Sequence, residues 1–333
     1  MIRPGLKNLI TDVDGIQVGN ASDCDAMTGV TAIIPETAAV GGVDVRGGGP
    51  GTRETEVLRP DCLVDRVDSI VLSGGSIYGL EAAAGVTSAL AEKGMGYALK
   101  GLHLPIVPSA VLFDLLNGGN KEWGDMPPYR SLGAQAVANV SKDFDLGNYG
   151  AGYGAAAGTL KGGLGSASAI SEDGIQVGAV IAVNPVGSVL IPGTSNFWAW
   201  ALEQNGEFGG FGAPELQEDI SLEAISSGRL MENTTIGVVA TNVTLTKAQA
   251  QRVAIMAQDG FARAIRPVHT PMDGDTIFTL STERKPLDIP EPLALARIGA
   301  IAADCVARAV ARAVYNAESL GALPSYRAHF NKT

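Results

Sequence analysis

The sequence predicts an α/β fold, and three features of its pattern support that prediction. Short runs of apolar and β-branched residues recur along the chain, as at residues 29–34, and such runs are typical of buried strands. Longer segments place apolar residues three and four positions apart, which is the periodicity of an amphipathic helix. The 43 glycines among 333 residues indicate many tight turns and close backbone approaches. The pattern alone does not give the order of the layers.

Composition restricts the class of partner and the compartment. The net charge of −11 disfavours nucleic acid and anionic membranes as partners. Cys24, Cys62 and Cys305 are too scattered for a disulfide framework, which indicates a reducing compartment. The three histidines have no metal-ligand spacing, so we expect neither a metal nor a cofactor. Without a signal-peptide pattern or a membrane-spanning apolar run, we expect a soluble, cytoplasmic protein.

The first third of the chain alternates apolar runs with glycine-rich segments. The predicted strands are residues 8–13, 29–34, 39–45 and 68–72, and a helix is predicted at residues 78–92. The glycine run at residues 46–52 lacks the ending of a phosphate-binding loop and is more typical of two backbones that pass closely. Residues 73–76 form a turn but not a nucleophile elbow, because Tyr78 stands where that motif needs a glycine.

The middle of the chain is harder to assign. Residues 104–116 are apolar with two prolines, which predicts an edge strand or an irregular core segment. Residues 148–161 resemble a dinucleotide fingerprint only loosely, because the segment before them is polar. A strand is predicted at residues 174–183. The acidic, glycine-rich stretch at residues 204–229 is predicted to be an exposed loop.

A predicted buried strand begins with two hydroxyl residues, Thr234 and Thr235, directly after that loop. A hydroxyl at such a junction is well held and reachable, which suits a nucleophile, although it is also a common way for a strand to begin. Residues 246–265 predict an amphipathic helix with Thr246 as its N-cap. A strand at residues 275–281 and an alanine-rich helix at residues 293–318 complete the chain.

The charges of the last helix follow a regular spacing. Asp304, Arg308 and Arg312 are four residues apart, so they lie on one face of the helix. Such a row predicts one solvated or interface stripe.

Three segments, in this order, resemble the DmpA-type family of L-aminopeptidase/D-amidase-esterases, which includes β-peptidyl aminopeptidases and nylon-oligomer hydrolases. They are AVNPVG at residues 182–187, NTTIGVVATN at residues 233–242 and HTPMDGDT at residues 269–276. The run SGGSIYGLEAA from residue 73 is also similar, and we expect its glycines to shape a wall of the pocket.

Members of that family cut themselves before a Ser or Thr, which becomes the N-terminal nucleophile of the smaller subunit. The resemblance implies a layered αββα sandwich of the DmpA/ornithine-acetyltransferase type. It also implies a cut between Asn233 and Thr234, which divides the single catalytic domain of residues 1–333 into subunits of residues 1–233 and 234–333. An oligomer of self-cleaved protomers is implied as well.

The resemblance also implies roles for individual residues. Thr234 would be the nucleophile, and its freed α-amine, with a usual pKa of about 7.7–8.0, would be its base. The Asn184 side-chain amide would stabilise the oxyanion, although Asn before proline is also ordinary turn chemistry. Asp273 and Asp275 would hold the Thr234 ammonium group and orient its hydroxyl, and the alternative for them is a turn followed by a strand start.

Two positions depart from the nylon-oligomer hydrolases. Thr159 stands where those enzymes have a functional Lys, and Lys161 follows two residues later. Lys161 either takes that place through a shorter loop or is a solvated side chain. Phe113 replaces a pocket Tyr, which removes a hydrogen bond to the substrate or oxyanion. Both departures affect the expected substrate more than the expected nucleophile.

These features predict a self-processing amidohydrolase or aminopeptidase that cleaves a small peptide or amide through a Thr234 acyl-enzyme. One alternative is an acyltransferase of the ornithine-acetyltransferase type, which passes its acyl group to an amine instead of water. The other is an uncleaved, non-enzymatic scaffold. The chirality of the substrate and its α or β backbone do not follow from the sequence.

Overall fold

Two stacked β-sheets, each covered by helices on its outer face, form the framework of the computed structural model, which describes residues 2–215, 233–287 and 290–330. The strands are β1 (Ile2–Arg3), β2 (Ile16–Asp23), β3 (Thr28–Pro35), β4 (Ala39–Val45), β5 (Gly51–Arg53), β6 (Arg66–Val67), β7 (Ile70–Ser73), β8 (Tyr97–Leu99), β9 (Leu102–Leu104), β10 (Ser109–Val111), β11 (Ala156–Ala157), β12 (Leu160–Lys161), β13 (Gly163–Ser171), β14 (Gln176–Val183), β15 (Ile236–Val243) and β16 (Thr276–Lys285). The helices are α1 (Glu81–Glu92), α2 (Tyr129–Ala138), α3 (Lys247–Ala264), α4 (Glu291–Asn316) and α5 (Tyr326–His329).

The larger sheet has the strand order β1-β13-β14-β15-β16-β4-β6, and the smaller has the order β2-β3-β7-β10-β5. At the centre of the larger sheet, β15 runs antiparallel to β14 and parallel to β16. Ile236 at the start of β15 therefore lies opposite Ala182 near the end of β14 and opposite Thr276 at the start of β16. The residues just before β15, just after β14 and just before β16 meet at one edge of the sheet.

Three apolar cores separate the layers. Helices α3 and α4 pack on the outer face of the larger sheet, α1 and α2 pack on the smaller sheet, and the third core fills the space between the sheets. Side chains of β15 alternate between two of these cores, because successive residues of a strand point to opposite faces. Val238 and Ala240 lie in the core between the sheets, whereas Val239 lies in the core beneath the helices. The predicted αββα sandwich is confirmed.

Most predicted elements are present. The strands expected at residues 29–34, 39–45, 174–183 and 275–281 correspond to β3, β4, β14 and β16. Thr246 caps α3 as predicted: its hydroxyl accepts from the Gln249 N–H at 3.3 Å, and the Gln249 side chain accepts from the Thr246 N–H at 2.7 Å.

One expectation for a backbone segment was wrong, and a second was right only in part. The strand expected at residues 8–13 is a 3₁₀ helix, Ile10–Asp12, because the Asp12 carboxylate accepts the backbone N–H groups of Lys7 and Leu9 and closes a turn. Residues 104–116 do not form an edge strand, since β10 lies between β7 and β5 inside the smaller sheet. The flanking residues of that segment are irregular.

Two members of the row expected to form a solvated or interface stripe on the last helix, Arg308 and Arg312, instead belong to a largely buried ionic cluster with Glu207. Arg308 is only 1% exposed, and its guanidinium donates to both carboxylate oxygens of Glu207, at 2.6 and 3.0 Å. Phe208 is buried and the Glu207 side chain is only 6% exposed, so the loop predicted to be exposed is partly core, while its residues 216–229 lie outside the described part of the chain. The fork of Arg308 fits a bidentate carboxylate, which explains why an arginine lies among apolar residues. Asp304 alone stays near the surface.

This cluster gives a test of stability. Glu207→Ala would leave a buried guanidinium without its counterion, so we expect the free energy of unfolding to fall by about 3–5 kcal/mol. Asp304→Ala is a matched control on the same helix, because Asp304 pairs with Arg263 and the two side chains are 44% and 46% exposed. The control should change stability by less than about 1 kcal/mol. Urea unfolding in a Thr234→Ala background measures both, and equal losses would contradict the distinction.

Candidate active site

Thr234 lies at the edge where the three central strands meet, and it is 5% exposed. Its backbone N–H donates to the carbonyl of Asn184, the residue after β14, at 2.6 Å. Its hydroxyl donates to the carbonyl oxygen of Asn233, on the peptide bond where the cut is predicted. The same hydroxyl oxygen accepts the N–H of Gly274, just before β16, at 3.0 Å. The Thr234 hydroxyl is therefore fixed against the carbonyl of the residue before it.

The Asp275 carboxylate binds backbone N–H groups of Thr235, the residue after Thr234, and of His269. One of its carboxylate oxygens accepts the Thr235 N–H at 2.8 Å, and the other accepts the His269 N–H at 3.0 Å and lies 2.9 Å from His269 Nδ1. Asp275 thus links two loops through backbone groups. In the uncut chain its described bonds go to Thr235 and His269, not to Thr234.

Asp273 is buried two residues away and holds a different set of groups. It accepts the Val186 N–H at 3.2 Å, and the N–H and hydroxyl of Thr270 at 3.0 and 2.6 Å. Burial raises the pKa of Asp273, and the nearby charge of Asp275 adds to that rise. The two aspartates brace the loop that carries the Gly274 N–H, but their described bonds do not reach Thr234, so their direct action on the nucleophile stays a prediction.

Asn184 combines backbone and side-chain contacts around Thr234. Its side-chain oxygen accepts the Ala156 N–H at 2.8 Å, and its side-chain nitrogen donates to the Phe113 carbonyl at 3.1 Å. These two bonds fix the orientation of the amide. Phe113 therefore supports the site through its backbone carbonyl, although its side chain has no hydroxyl.

A cavity of about 300 Å³ opens beside the predicted cut and has Asn184 and Asn233 in its wall. Asp114 also lines it, and burial raises the pKa of this carboxyl group to about 6. The carboxylate accepts the Thr28 hydroxyl at 2.6 Å and the Gly75 N–H at 2.7 Å. A Cβ on Gly74 would lie 2.2 Å from the Asp114 carboxylate. Gly74 thus leaves space for Asp114, but Gly74, Gly75 and Gly79 are not among the described residues that line the cavity, so their role in shaping its wall stays a prediction.

Lys161 is fully buried, so the solvated alternative is wrong. Its ammonium nitrogen lies 3.0 Å from the Gly152 carbonyl and 3.1 Å from the Gly162 carbonyl. Burial lowers its pKa to about 7. Its described contacts do not include Thr234, and it is not among the described residues that line the cavity.

Three contributors to the site were not predicted from the sequence. Asp114 is a lone acidic residue inside the apolar run of residues 112–116, and that isolation was the available signal. His269 was seen as part of a motif but not as a partner of Asp275, and its φ of 54° is unusual for a residue other than glycine. Gly274 acts through its N–H, which no side-chain pattern reveals.

No helix in the described residues is both long enough and apolar enough to cross a lipid bilayer. Within residues 2–215, 233–287 and 290–330, no group of three or more His, Cys, Asp or Glu side chains is arranged to hold a metal ion.

The αββα sandwich and the sequence relationships of this chain identify a hydrolase that acts on peptide or amide bonds. The chain belongs to peptidase family S58, which matches residues 8–325. An uncharacterised aminopeptidase of Mycobacterium tuberculosis is 43% identical over 97% of this chain and 98% of its own length. A 6-aminohexanoate-oligomer endohydrolase of a Kocuria species is 30% identical over 86% of this chain and 78% of its own length. The L-aminopeptidase D-Ala-esterase/amidase of Ochrobactrum anthropi has the same fold, with a TM-score of 0.67, 21% identity, and coverage of 97% of this chain and 90% of that one.

The burial of Lys161 has a consequence that can be measured. Because its pKa is about 7 in the folded chain and 10.5 is the ordinary value, the unfolded chain binds more protons between those limits. Its contribution to stability is therefore complete above about pH 10.5 and is lost as the pH falls through about 7. The difference in unfolding free energy between the wild type and Lys161→Met should shift in favour of the wild type from pH 6.5 to pH 8.5. Urea unfolding at several pH values measures it, and a difference that does not change with pH would contradict the lowered pKa.

Proposed function

We propose that this protein is a self-processing amidohydrolase of the aminopeptidase type, with Thr234 as both nucleophile and base. The observation that carries the proposal is the contact between the Thr234 hydroxyl and the carbonyl of Asn233, with the Gly274 N–H on the hydroxyl oxygen. A nucleophile placed against the carbonyl of its own peptide bond is what an intramolecular cut requires. The N–H of Gly274 stabilises negative charge on the Thr234 hydroxyl oxygen as the hydroxyl gives up its proton.

The cut proceeds by transfer of an acyl group within the chain. The Thr234 oxygen attacks the Asn233 carbonyl carbon, a C–O bond forms, and the C–N bond between the two residues breaks. The hydroxyl proton ends on the departing nitrogen, which becomes the α-amine of Thr234. Water then hydrolyses the ester, leaving a carboxyl group on Asn233 and restoring the hydroxyl.

The processed enzyme uses the same atoms on its substrate. The freed α-amine takes the hydroxyl proton while the oxygen attacks the substrate carbonyl, because its unperturbed pKa of about 7.7–8.0 leaves part of it neutral near pH 7. The Asn184 carbonyl already accepts from the Thr234 nitrogen, and this contact would orient the amine. The Asn184 side-chain amide donates to the oxyanion. The amine product leaves with the proton, and water releases the acid product from the Thr234 ester.

The two pieces remain associated after the cut. Strands β15 and β16 belong to residues 234–333, and they lie between β14 and β4, which belong to residues 1–233. Separation would break the pairing of β14 with β15 and of β16 with β4, and it would divide the cores on both faces of the larger sheet. The ion pair between Glu207 and Arg308 adds a further connection between the pieces.

The substrate we propose is a small peptide or amide that enters the cavity beside Asn184. A cavity of about 300 Å³ accommodates a short group beside Asn184. The mycobacterial relative named as an aminopeptidase is 43% identical, against 30% for the oligomer endohydrolase. The higher identity to the relative named as an aminopeptidase favours cleavage near an N-terminus.

Substitution of Thr234 tests the shared nucleophile. Thr234→Ala should stay one folded chain without amidase activity, because both reactions lose their hydroxyl. Thr234→Ser keeps the hydroxyl and the future α-amine but loses the methyl group that restricts the rotamer, so it should still cut, more slowly. Denaturing gels, N-terminal sequencing of the smaller fragment and turnover of amino-acid p-nitroanilides measure these outcomes. A cleaved and active Thr234→Ala protein would end the proposal.

Substitution of Asn184 tests the oxyanion role. Asn184→Ala and Asn184→Asp both remove the side-chain N–H and keep the backbone carbonyl that binds Thr234. Measured on processed enzyme, each should lower kcat by about 10²–10³ and leave KM nearly unchanged. The aspartate variant keeps the shape of the side chain and so controls for packing. If only the alanine variant loses activity, Asn184 would be a turn residue instead.

A further inference from the structure

The glycine run Gly47-Gly48-Gly49 lies directly against the loop of residues 270–275, which places Gly274 on Thr234. The Gly47 N–H donates to the Asp275 carbonyl at 3.2 Å, and the Gly49 N–H donates to the Asp273 carbonyl at 2.8 Å. The Gly48 N–H donates to the Thr270 carbonyl at 3.2 Å. Three consecutive N–H groups thus bind the loop near its beginning, in its middle and at its end.

Space, not backbone conformation, requires glycine at two of these positions. None of the three has a positive φ, so other residues could adopt the same backbone. A Cβ on Gly47 would lie 2.2 Å from the Asp273 carbonyl oxygen and 2.3 Å from the Asp275 nitrogen. A Cβ on Gly48 would lie 2.6 Å from the Pro271 Cα. The obstacles are backbone atoms, which cannot rotate away as a flexible side chain can.

Gly49 differs from its two neighbours. A Cβ there would lie 3.7 Å from the nearest atom, the Pro271 carbonyl oxygen, which is an ordinary contact. Its N–H would remain in place after substitution by alanine. The run therefore contains its own control, one residue away from the positions where a methyl group does not fit.

Gly274, in the same loop, packs closely against both the nucleophile and the glycine run. A Cβ on Gly274 would lie 2.8 Å from the Thr234 hydroxyl oxygen and 2.9 Å from the Gly49 carbonyl oxygen. The glycine run, the loop and the nucleophile are thus in successive contact, with no side chain between them. A displacement of the loop would reach the Thr234 hydroxyl without a flexible group to absorb it.

We infer that Gly47 and Gly48 are positioning residues that set the distance between the Gly274 N–H and the Thr234 hydroxyl. This inference rests on the proposed nucleophile. To move from 2.2 Å to an ordinary contact of 3.4 Å, the two backbones must separate by about 1 Å at Gly47. A displacement of about 1 Å at a reacting group lowers rates about 10²-fold.

The experiment compares self-cleavage of Gly47→Ala, Gly48→Ala and Gly49→Ala in full-length chains, with circular dichroism and size-exclusion chromatography to identify folded protein. Gly47→Ala should cut about 10²-fold more slowly than the wild type, and Gly48→Ala should also be slower. Gly49→Ala should cut within about threefold of the wild-type rate, because its methyl group fits. After prolonged incubation, processed Gly47→Ala should show a lower kcat on a p-nitroanilide with KM unchanged, a separation that general loss of structure would not produce.

The outcomes separate this inference from the proposed function. A wild-type chain that never cuts before Thr234 would overturn both. A wild-type chain that cuts, with Gly47→Ala as fast as Gly49→Ala, would overturn the positioning role alone. If Gly47→Ala does not fold, Gly48→Ala decides the matter. Failure of both to fold would assign the glycine run to folding and overturn the inference.

Discussion

The hydrogen bond from the Thr234 N–H to the Asn184 carbonyl joins the start of β15 to the end of β14. The site depends on this connection, because it places the peptide bond before Thr234 at the edge of the central sheet. The parallel pairing of β15 with β16 then brings the Gly274 N–H to the hydroxyl. A sheet with only antiparallel neighbours at β15 would put the start of one adjacent strand at the far edge. The mixed pairing is what gathers three chain segments around one hydroxyl.

Burial shifts the pKa values of several ionisable groups in this part of the fold. Asp114 and Lys161 are both buried, and burial moves their pKa values toward each other, to about 6 and about 7. Asp273 and Asp275 are buried as well, but Asp273 accepts three hydrogen bonds, and Asp275 accepts two backbone N–H groups and lies 2.9 Å from His269 Nδ1. Such bonds offset the cost of removing a carboxylate from water. The rigid arrangement around Thr234 thus results from satisfied buried charges.

The sequence predicted the fold well where its patterns are periodic. The β-branched run of β15 predicted a buried strand, and the 3-and-4 spacing of apolar residues in α3 predicted an amphipathic helix. Prediction was poorest where a contact joins distant segments: Glu207 and Arg308 are 101 residues apart, so nothing local in either segment indicated an ion pair. The residues just before β15 and β16 were predicted as site residues through resemblance. Asp114 and the Gly274 N–H were missed because only the folded chain brings them beside Asn184 and Thr234.

The central claim is that one hydroxyl, that of Thr234, forms a covalent ester during turnover. Processed enzyme can be mixed with the p-nitroanilide that it hydrolyses fastest, quenched in acid during the first turnover, and digested for tandem mass spectrometry. The account predicts the mass of the acyl group on Thr234 at the start of the smaller fragment, with no such adduct in Thr234→Ala. An acyl group on another residue, or full activity in a chain that is still uncut, would contradict it.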